Sequence, residues 1–402
     1  MQIEALSLSN FRIFTRLEMD FPDRLTLLVG NNAQGKTSVL EAVHFLSILT
    51  SPLASNDREL INLRTVQDEL PVARLIGKVR KQEKTHTIEV RLILNTIQNG
   101  SQRLRKEVLI DGVKKRLFDA VGFFNSVLFL PQMTRILEDG PDERRKYLDQ
   151  LLSQAYPGYV RALSDYQQAL ARRNALLKLL FDRNGDPAQL DYWDEVITSN
   201  GALIIEARLK STREFEEYFG QQYRRLTGGK EEIRMDYQPS YNGIRVKNGQ
   251  AELGITAQQP EPIGYEEIKD HFAKRLRALQ KEEIRRGVTT IGPHRDEVRF
   301  YSNDIDLAVY GSRGQIRTAV MAMKIAETQW LLEKTGELPV LLLDETLAEL
   351  DEQRREDLLG SLGLEEQAIL TTTDLGLFSE DFAHTCRIWQ VSAGQVTRLN
   401  HQ

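Results

Sequence analysis

The run Gly30-Asn31-Asn32-Ala33-Gln34-Gly35-Lys36-Thr37 has the residue types and spacing to bind a triphosphate. Its two glycines let the backbone curl so that successive N–H groups face the phosphates. Lys36 reaches the β- and γ-phosphates, and the Thr37 hydroxyl holds Mg2+. A second candidate is the apolar run Val340-Leu341-Leu342-Leu343 ending in Asp344-Glu345. Asp344 is suited to meet Mg2+, and Glu345 to act as general base on the attacking water. A third is Ser312-Arg313-Gly314-Gln315, which opens a long amphipathic stretch from Thr318 to Leu332. A turn of this kind at a helix N-terminus attracts anions and has no phosphate of its own, so its natural user is the γ-phosphate held by another copy. Arg12, beside the phosphate loop, is a candidate nucleotide contact.

These residues need particular elements to hold them. The apolar run Leu25–Val29 precedes the loop, and Ser38 to Leu49 repeats apolar residues at helical spacing, giving strand, tight loop, helix. The strand carrying Asp344 is expected beside the strand that feeds the loop. Ile3, Leu6 and Leu8, then Leu17, Met19 and Phe21, mark two earlier strands. Residues 72–113 alternate as a β-meander, with Asn99-Gly100 and Asp111-Gly112 as hairpin turns. Val127–Leu130 is a short strand ending in Pro131-Gln132. From Pro141 to Arg286 the pattern turns to long helices, although residues 233–264 have no clear pattern. The longest uninterrupted helix spans about 40 to 60 Å at 1.5 Å per residue, too short for the arm of a long coiled-coil chromosome protein. The expected division is a head built from 1–140 and 287–402, with a helical lobe, 141–286, inserted between.

At 402 residues, 41% hydrophobic and 28% charged, the composition is that of a soluble globular protein with two domains or one domain and an insertion. No apolar run has the length of a membrane span and the N-terminus has no signal-peptide pattern, so the expected location is the cytoplasm. The one cysteine, Cys386, is a small core residue with no partner for a disulfide or a metal. The net charge of −5 hides segregation: residues 74–116 hold twelve lysines and arginines against four acids. Such a face suits a polyanion, and equally suits a solvated hairpin whose lysines guard its edges. The candidate polyanion contacts are Arg74, Lys78, Arg80, Lys81, Arg103, Arg105, Lys106, Lys114, Lys115 and Arg116.

The order of phosphate loop, Gln132, Ser-x-Gly-Gln, Asp-Glu and Glu349-Leu350-Asp351 resembles the ABC-type ATPase head, in which two heads sandwich two ATPs. More closely, the chain resembles the RecF family of bacterial DNA-repair proteins. The landmarks are Leu8-Ser9-Asn10-Phe11-Arg12, Gly140-Pro141-Asp142-Glu143-Arg144-Arg145 through Asp149, Gly292-Pro293-His294-Arg295-Asp296, Ser312 to Arg317, Leu341 to Asp351 and Thr371-Thr372-Thr373-Asp374. They run along nearly the whole chain. Three positions depart from the family pattern: Gln132 follows Pro131 where glutamate is usual, Asp139 replaces a glycine, and Glu345 stands where aspartate is common. No switch histidine follows Leu370; Thr372 and Thr373 occupy that region.

The resemblance implies an α/β ABC-type head related to the SMC and Rad50 heads, with a β-meander, a central sheet and a helical lobe bearing a short coiled-coil-like arm. It implies an ATP- and Mg2+-dependent homodimer that clamps duplex or gapped DNA and uses weak, DNA-stimulated ATP hydrolysis as a switch. Ser312, Gly314 and Gln315 of one copy would cap the γ-phosphate on Lys36 of the other, with Asp351 crossing the same interface and Gln132 contacting Mg2+ and water. Partners would be RecO- and RecR-type proteins in RecA loading, replication restart and the SOS response, at the nucleoid and away from membranes. Rival readings are an ABC ATPase subunit driving a transporter, a short chromosome-tethering ATPase and a small-molecule kinase. The absent switch histidine, the short lobe and the Ser312–Gln315 turn count against them in that order. His294 is open between cap and packing residue, Arg295 and Asp296 between surface ion pair and function, and Arg144 and Arg145 between DNA phosphate and an acid of the head.

Overall fold

A computed structural model describes residues 1–65, 71–96, 102–183, 185–242, 264–345, 355 and 366–399. The chain divides into two compact units, 1–133 with 327–402, and 134–326.

In the first unit, β1 (Gln2–Phe11), β2 (Phe14–Asp20), β4 (Val72–Lys81), β5 (Lys84–Thr96), β6 (Gln102–Ile110) and β7 (Val113–Lys115) form an antiparallel sheet in the order β2-β1-β4-β5-β6-β7. Asp111-Gly112 makes the expected turn, both residues at positive φ. The β4–β5 turn does the same with Gln82 and Glu83, at φ 48° and 63°, and so carries no Asn-Gly signature. Asn99-Gly100 falls outside the described residues.

A second sheet is built from β3 (Leu25–Val29), β8 (Ser126–Phe129), β12 (Val340–Asp344), β13 (Ala368–Thr372), β14 (Arg387–Ser392) and β15 (Gln395–Arg398), in the order β15-β14-β3-β13-β12-β8. All but β15 run parallel. The strand carrying Asp344 is therefore not beside the strand feeding the phosphate loop. β13 lies between them, pairing with β3 on one side and β12 on the other.

Helix α1 (Lys36–Ile48) shares one apolar core with both sheets. Leu40, Val43, Phe45 and Leu46 pack with Leu75, Val90 and Val108 of the meander and with Leu128, Leu342 and Ile369 of the parallel sheet. A helix surrounded in this way is apolar almost all round. Its buried Glu41 and His44 are satisfied, Glu41 by Arg12 and Ser51 and His44 by Ser126. The short α2 (Leu117–Ala120) follows β7. Cys386 is buried as expected, and burial pushes its thiol up to about 11.

The second unit holds α3 (Arg135–Glu138), α4 (Pro141–Ala155), α5 (Tyr159–Arg183), α6 (Asp191–Leu226), α7 (Tyr265–Arg286), α8 (Leu307–Tyr310) and most of α9 (Arg313–Thr335). With 36 residues α6 is about 54 Å long. A three-stranded sheet, β11-β10-β9, joins β9 (Ile233–Gln238) to β10 (Glu297–Ser302) and β11 (Ile305–Asp306). The unit therefore extends beyond the expected boundary at 286. β10 pairs residue for residue with β9, and this long-range pairing is invisible to a division made on helical periodicity.

A buried polar network knits these helices to the loop 289–296. Arg208 donates to Asp149 (2.7 Å), Tyr159 (3.1 Å) and the Pro293 carbonyl (2.8 Å). Arg173 bonds Asp194, Glu283 and Thr289. Asp296 is fully buried and accepts from Tyr237 and the Ser240 N–H, so it is no surface ion pair with Arg295. Burial lowers His294 to about 4, leaving a neutral imidazole that accepts from Tyr166 and donates to the Thr289 carbonyl. Arg144 pairs with Glu297 (3.0 Å), and Arg145 donates to the Asp296 carbonyl (2.6 Å), so acceptors within the unit engage both. The Gly292–Asp296 motif thus acts as a structural anchor. Its one buried ion, Asp296, is tolerated because both carboxylate oxygens meet donors, while Arg295 is exposed.

Candidate functional site

The phosphate loop leaves β3 at the C-terminal edge of the parallel sheet, where ligands bind in open α/β folds. Its glycines have different reasons. Gly35 has φ 110°, a conformation that disfavours any side chain. At Gly30 a Cβ would stand 2.2 Å from the Val391 carbonyl oxygen, so β14 can approach only a glycine. Gly30→Ala is expected to cost about 1–3 kcal/mol through this overlap. Urea unfolding measures it, and an unchanged midpoint would remove the argument. Ala33 sits at φ 62°. Gln34 accepts from the Ala393 N–H at 2.6 Å, tying the loop to the β14–β15 turn. Asn31, Asn32 and Ala33 are exposed.

Lys36 is 3% exposed, and its ammonium has three partners: the carbonyls of Gly30 (2.6 Å) and Asn31 (3.0 Å), and Glu345 (3.1 Å). Thr37 donates to the Asp344 carboxylate at 2.8 Å. Thr371 donates to the same group at 2.8 Å and accepts from the Glu345 N–H at 2.9 Å. Burial raises the Asp344 pKa, and the bonds from Thr371 and Thr37 oppose that rise. Thr371 is named in the sequence only as a landmark of the resemblance, with no role in the site. Register alone places it opposite Asp344, while Thr372 turns to Asp374 in a local loop. Thr37 and Asp344 present hard oxygen donors from one side, a set that suits Mg2+ completed by phosphate and water.

Gln132 is exposed on a 3-10 turn, Pro131–Thr134, directly after β8. β8 aligns Phe129 with Leu343, so Gln132 leaves the sheet at the same edge as Asp344. Arg12, at φ 51°, grips Glu41 of α1 bidentately at 2.6 and 2.8 Å and donates to the carbonyls of Leu53 and Glu59. Its guanidinium thus packs the 51–60 loop onto α1, a contact unforeseen in the sequence because Glu41 lies on the face of α1 that reads as core. Asp351 lies outside the described residues.

On the second unit, Ser312 and Gln315 form a reciprocal capping box at the start of α9. The Gln315 N–H donates to Ser312 Oγ (3.2 Å) and the Ser312 N–H to Gln315 Oε1 (3.1 Å). Gln315 Nε2 also reaches Glu231 at 3.3 Å. Gly314 is exposed, and a Cβ there would meet only Ser312 Oγ, at 4.0 Å. Glycine weakens an exposed helix by about 1 kcal/mol relative to alanine, and nothing in its own surroundings requires it.

The meander sorts its basic residues by strand parity. Arg74, Lys78, Arg80, Arg103, Arg105 and Lys114 share the face turned away from the core, and so does Arg91, which pairs directly with Arg74 across β4–β5. Arg91 belongs to the basic excess of the sequence, but only the register puts it on this face. On the meander, Glu89 pairs with Arg74 and Arg91 (both 2.6 Å), Glu107 with Lys114 (2.7 Å) and Arg105 (3.1 Å), and Arg80 with Glu4, while Glu18 and Asp20 of β2 continue the face at the sheet's edge. The bonds from Arg74 and then Arg91 hold Glu89 below the usual carboxylate range. Lys81 and Lys106 depart from the expected surface. They have the inward parity, Lys81 donating to the Phe123 carbonyl over its ring, with burial lowering its pKa, and Lys106 pairing with Asp57 at 2.6 Å. Lys115 lies opposite Val108, on the other parity from Lys114. Arg116 pairs with Asp119 over the Phe118 ring.

A phosphate loop and an Asp-Glu strand at one sheet edge, a meander folded over the same helix and a separate Ser-x-Gly-Gln helix start together define an ABC-type ATPase head. The RecF/RecN/SMC N-terminal domain model matches residues 2–397. The DNA replication and repair protein RecF of Chloroflexus aurantiacus is 37% identical, with 98% of this chain and 99% of that protein aligned. That of Halalkalibacterium halodurans is 31% identical over 99% and 100%. The chain belongs to the RecF family. A solved structure of the recombination mediator protein RecF with ATPrS, of the RecFOR pathway, superposes with a TM-score of 0.83 at 28% identity, covering 99% of this chain and 98% of that one. Among the described residues no helix is long and apolar enough to cross a membrane.

Proposed function

We propose that this chain is a DNA replication and repair protein whose two copies close around ATP on duplex or gapped DNA and reopen on hydrolysis. The observation that carries the reading is the bond from Thr37 to Asp344, which joins the loop and the acidic strand into one oxygen-lined site across β13. In this reading Thr37 and Asp344, with Gln132, would hold Mg2+, which would supply neutralisation of charge on the phosphates. Lys36 exchanges its carbonyl partners and Glu345 for phosphate oxygens, and Glu345, released from the ammonium, takes the proton of the attacking water. Thr371 positions both acids. Ser312, Gly314 and Gln315 face the γ-phosphate of a second copy, and the open space at Gly314 supports a close approach there. Asp351 belongs to the same proposed interface. Hydrolysis is a slow, DNA-stimulated switch, and the molecule works at the nucleoid in the cytoplasm.

The likeness to a RecFOR-pathway mediator supports RecO- and RecR-type partners and a role in loading RecA. DNA lies on the outward face of the meander, where the paired acids leave a cationic excess. Reversing Arg74, Arg91 and Arg105 together should lower the slope of log affinity against log salt by about 2 to 3, at roughly 0.9 for each phosphate that is no longer neutralised. Fluorescence anisotropy on a labelled duplex reads this, and an unchanged slope would place DNA on another surface.

A further inference from the structure

Helix α7 buries Ile268, Phe272, Leu276 and Glu283. Lys274, Arg277, Lys281 and Arg285 follow one another at steps of three, four and four residues, so at 3.6 residues per turn they fall within about 80° of arc, opposite the buried face. All four are exposed. They make a straight ridge of one sign about 17 Å long. A helix dipole favours cations only in its last turn, which accounts for Arg285 and Arg286 but not for the three preceding turns.

Two exposed acids, Glu266 and Glu267, stand on the first turn of α7, before the ridge begins, and the acids alongside it are engaged. Asp270 pairs with Lys274 at 2.5 Å, Glu282 with Arg286 at 2.7 Å, and Glu195 with Lys269 at 2.7 Å. Asp270 and Glu195 also feel Arg277, while Glu283 is turned inward to Arg173. In a chain of net charge −5, a rod of this length and sign has no partner among the described residues for Lys281 or Arg285.

We propose that the α7 ridge is a second DNA contact, binding the phosphate backbone of the duplex independently of the meander face. This rests on the DNA-binding reading above and adds a site on the other unit. Point charges spaced about 4.5 to 6 Å along a rigid line engage phosphates without reading sequence, so the contribution is salt-dependent and sequence-independent.

The test compares full-length wild type, Arg277→Glu/Lys281→Glu/Arg285→Glu and the meander triple reversal, with ATP, on one labelled duplex across a salt series. The α7 variant should bind at least about tenfold more weakly at the lowest salt, with a slope lower by about 2 to 3, and should still dimerise with ATP. The corresponding glutamine variant should lose less affinity while its thermal unfolding matches wild type, separating charge from folding. An α7 slope equal to wild type, with the meander variant lowered, overturns the ridge and leaves the DNA reading intact. Wild type that fails to bind duplex at low salt ends both. Unchanged DNA affinity with loss of binding to polyglutamate overturns the ridge as a DNA contact and assigns it to an acidic protein.

Discussion

Lys36→Ala is expected to abolish the proposed ATP-dependent dimerisation, so that sedimentation velocity gives the same coefficient with and without nucleotide. The ammonium is nearly fully buried and makes three charge-assisted contacts, each of which a phosphate oxygen can replace in kind. Alanine offers nothing to the phosphates and leaves Glu345 without its counter-ion at the place where the triphosphate's negative charge must go. Hydrogen bonds to charged groups contribute about 1.5–3 kcal/mol each, so removing two corresponds to roughly 100-fold or more in nucleotide affinity. The loop keeps its course, because Gly30 still bonds Thr372 and Gln34 still bonds Ala393. Unchanged thermal unfolding therefore distinguishes a failure of binding from a failure of the fold. A variant that still dimerises on adding ATP would contradict the role given to Lys36.

Glu345→Gln separates closure from hydrolysis. The amide keeps the size of the side chain and can still accept from Lys36, but it takes no proton from water. Removing a general base typically lowers turnover about 10²–10⁴-fold. The ATP-bound dimer should accumulate and persist through gel filtration, where wild type returns to monomer as ATP is consumed. The backbone supports this assignment: Glu345 sits at φ 46°, held there by the bond from its N–H to Thr371. Strain of that kind at a site is tolerated where surrounding bonds enforce it. A variant with wild-type turnover would remove Glu345 as the base, and one that stays monomeric at saturating ATP would remove the sandwich.

Much of the candidate site was legible because the chemistry proposed for it is carried by contiguous residues. The loop 30–37, the pair 344–345 and the helix start at 312–315 each combine residue type with a local element, and local periodicity suffices to place strand, loop and helix around them. The turn at 312–315 reads as an anion site, and the structure adds the reciprocal cap between Ser312 and Gln315. The meander was readable from alternation, and the short reach of the helical lobe from its interrupted apolar pattern.

Long-range pairing decided the rest. Only the parallel register puts Thr371 opposite Asp344 and inserts β13 between the two strands of the site. Parity across β4–β5–β6 admits Arg91 to the basic face and turns Lys81 and Lys106 away from it, a distinction that a count of charges along the chain cannot make. The pairing of β10 with β9 extends the second unit past the expected boundary at 286, and the burial of Asp296 makes an anchor of a pair that the sequence leaves open between surface ion pair and function. Residue order determines what each side chain can do and the period with which it repeats. Which distant residue stands across from it depends on strand register, where a shift of one position exchanges the buried face for the exposed one.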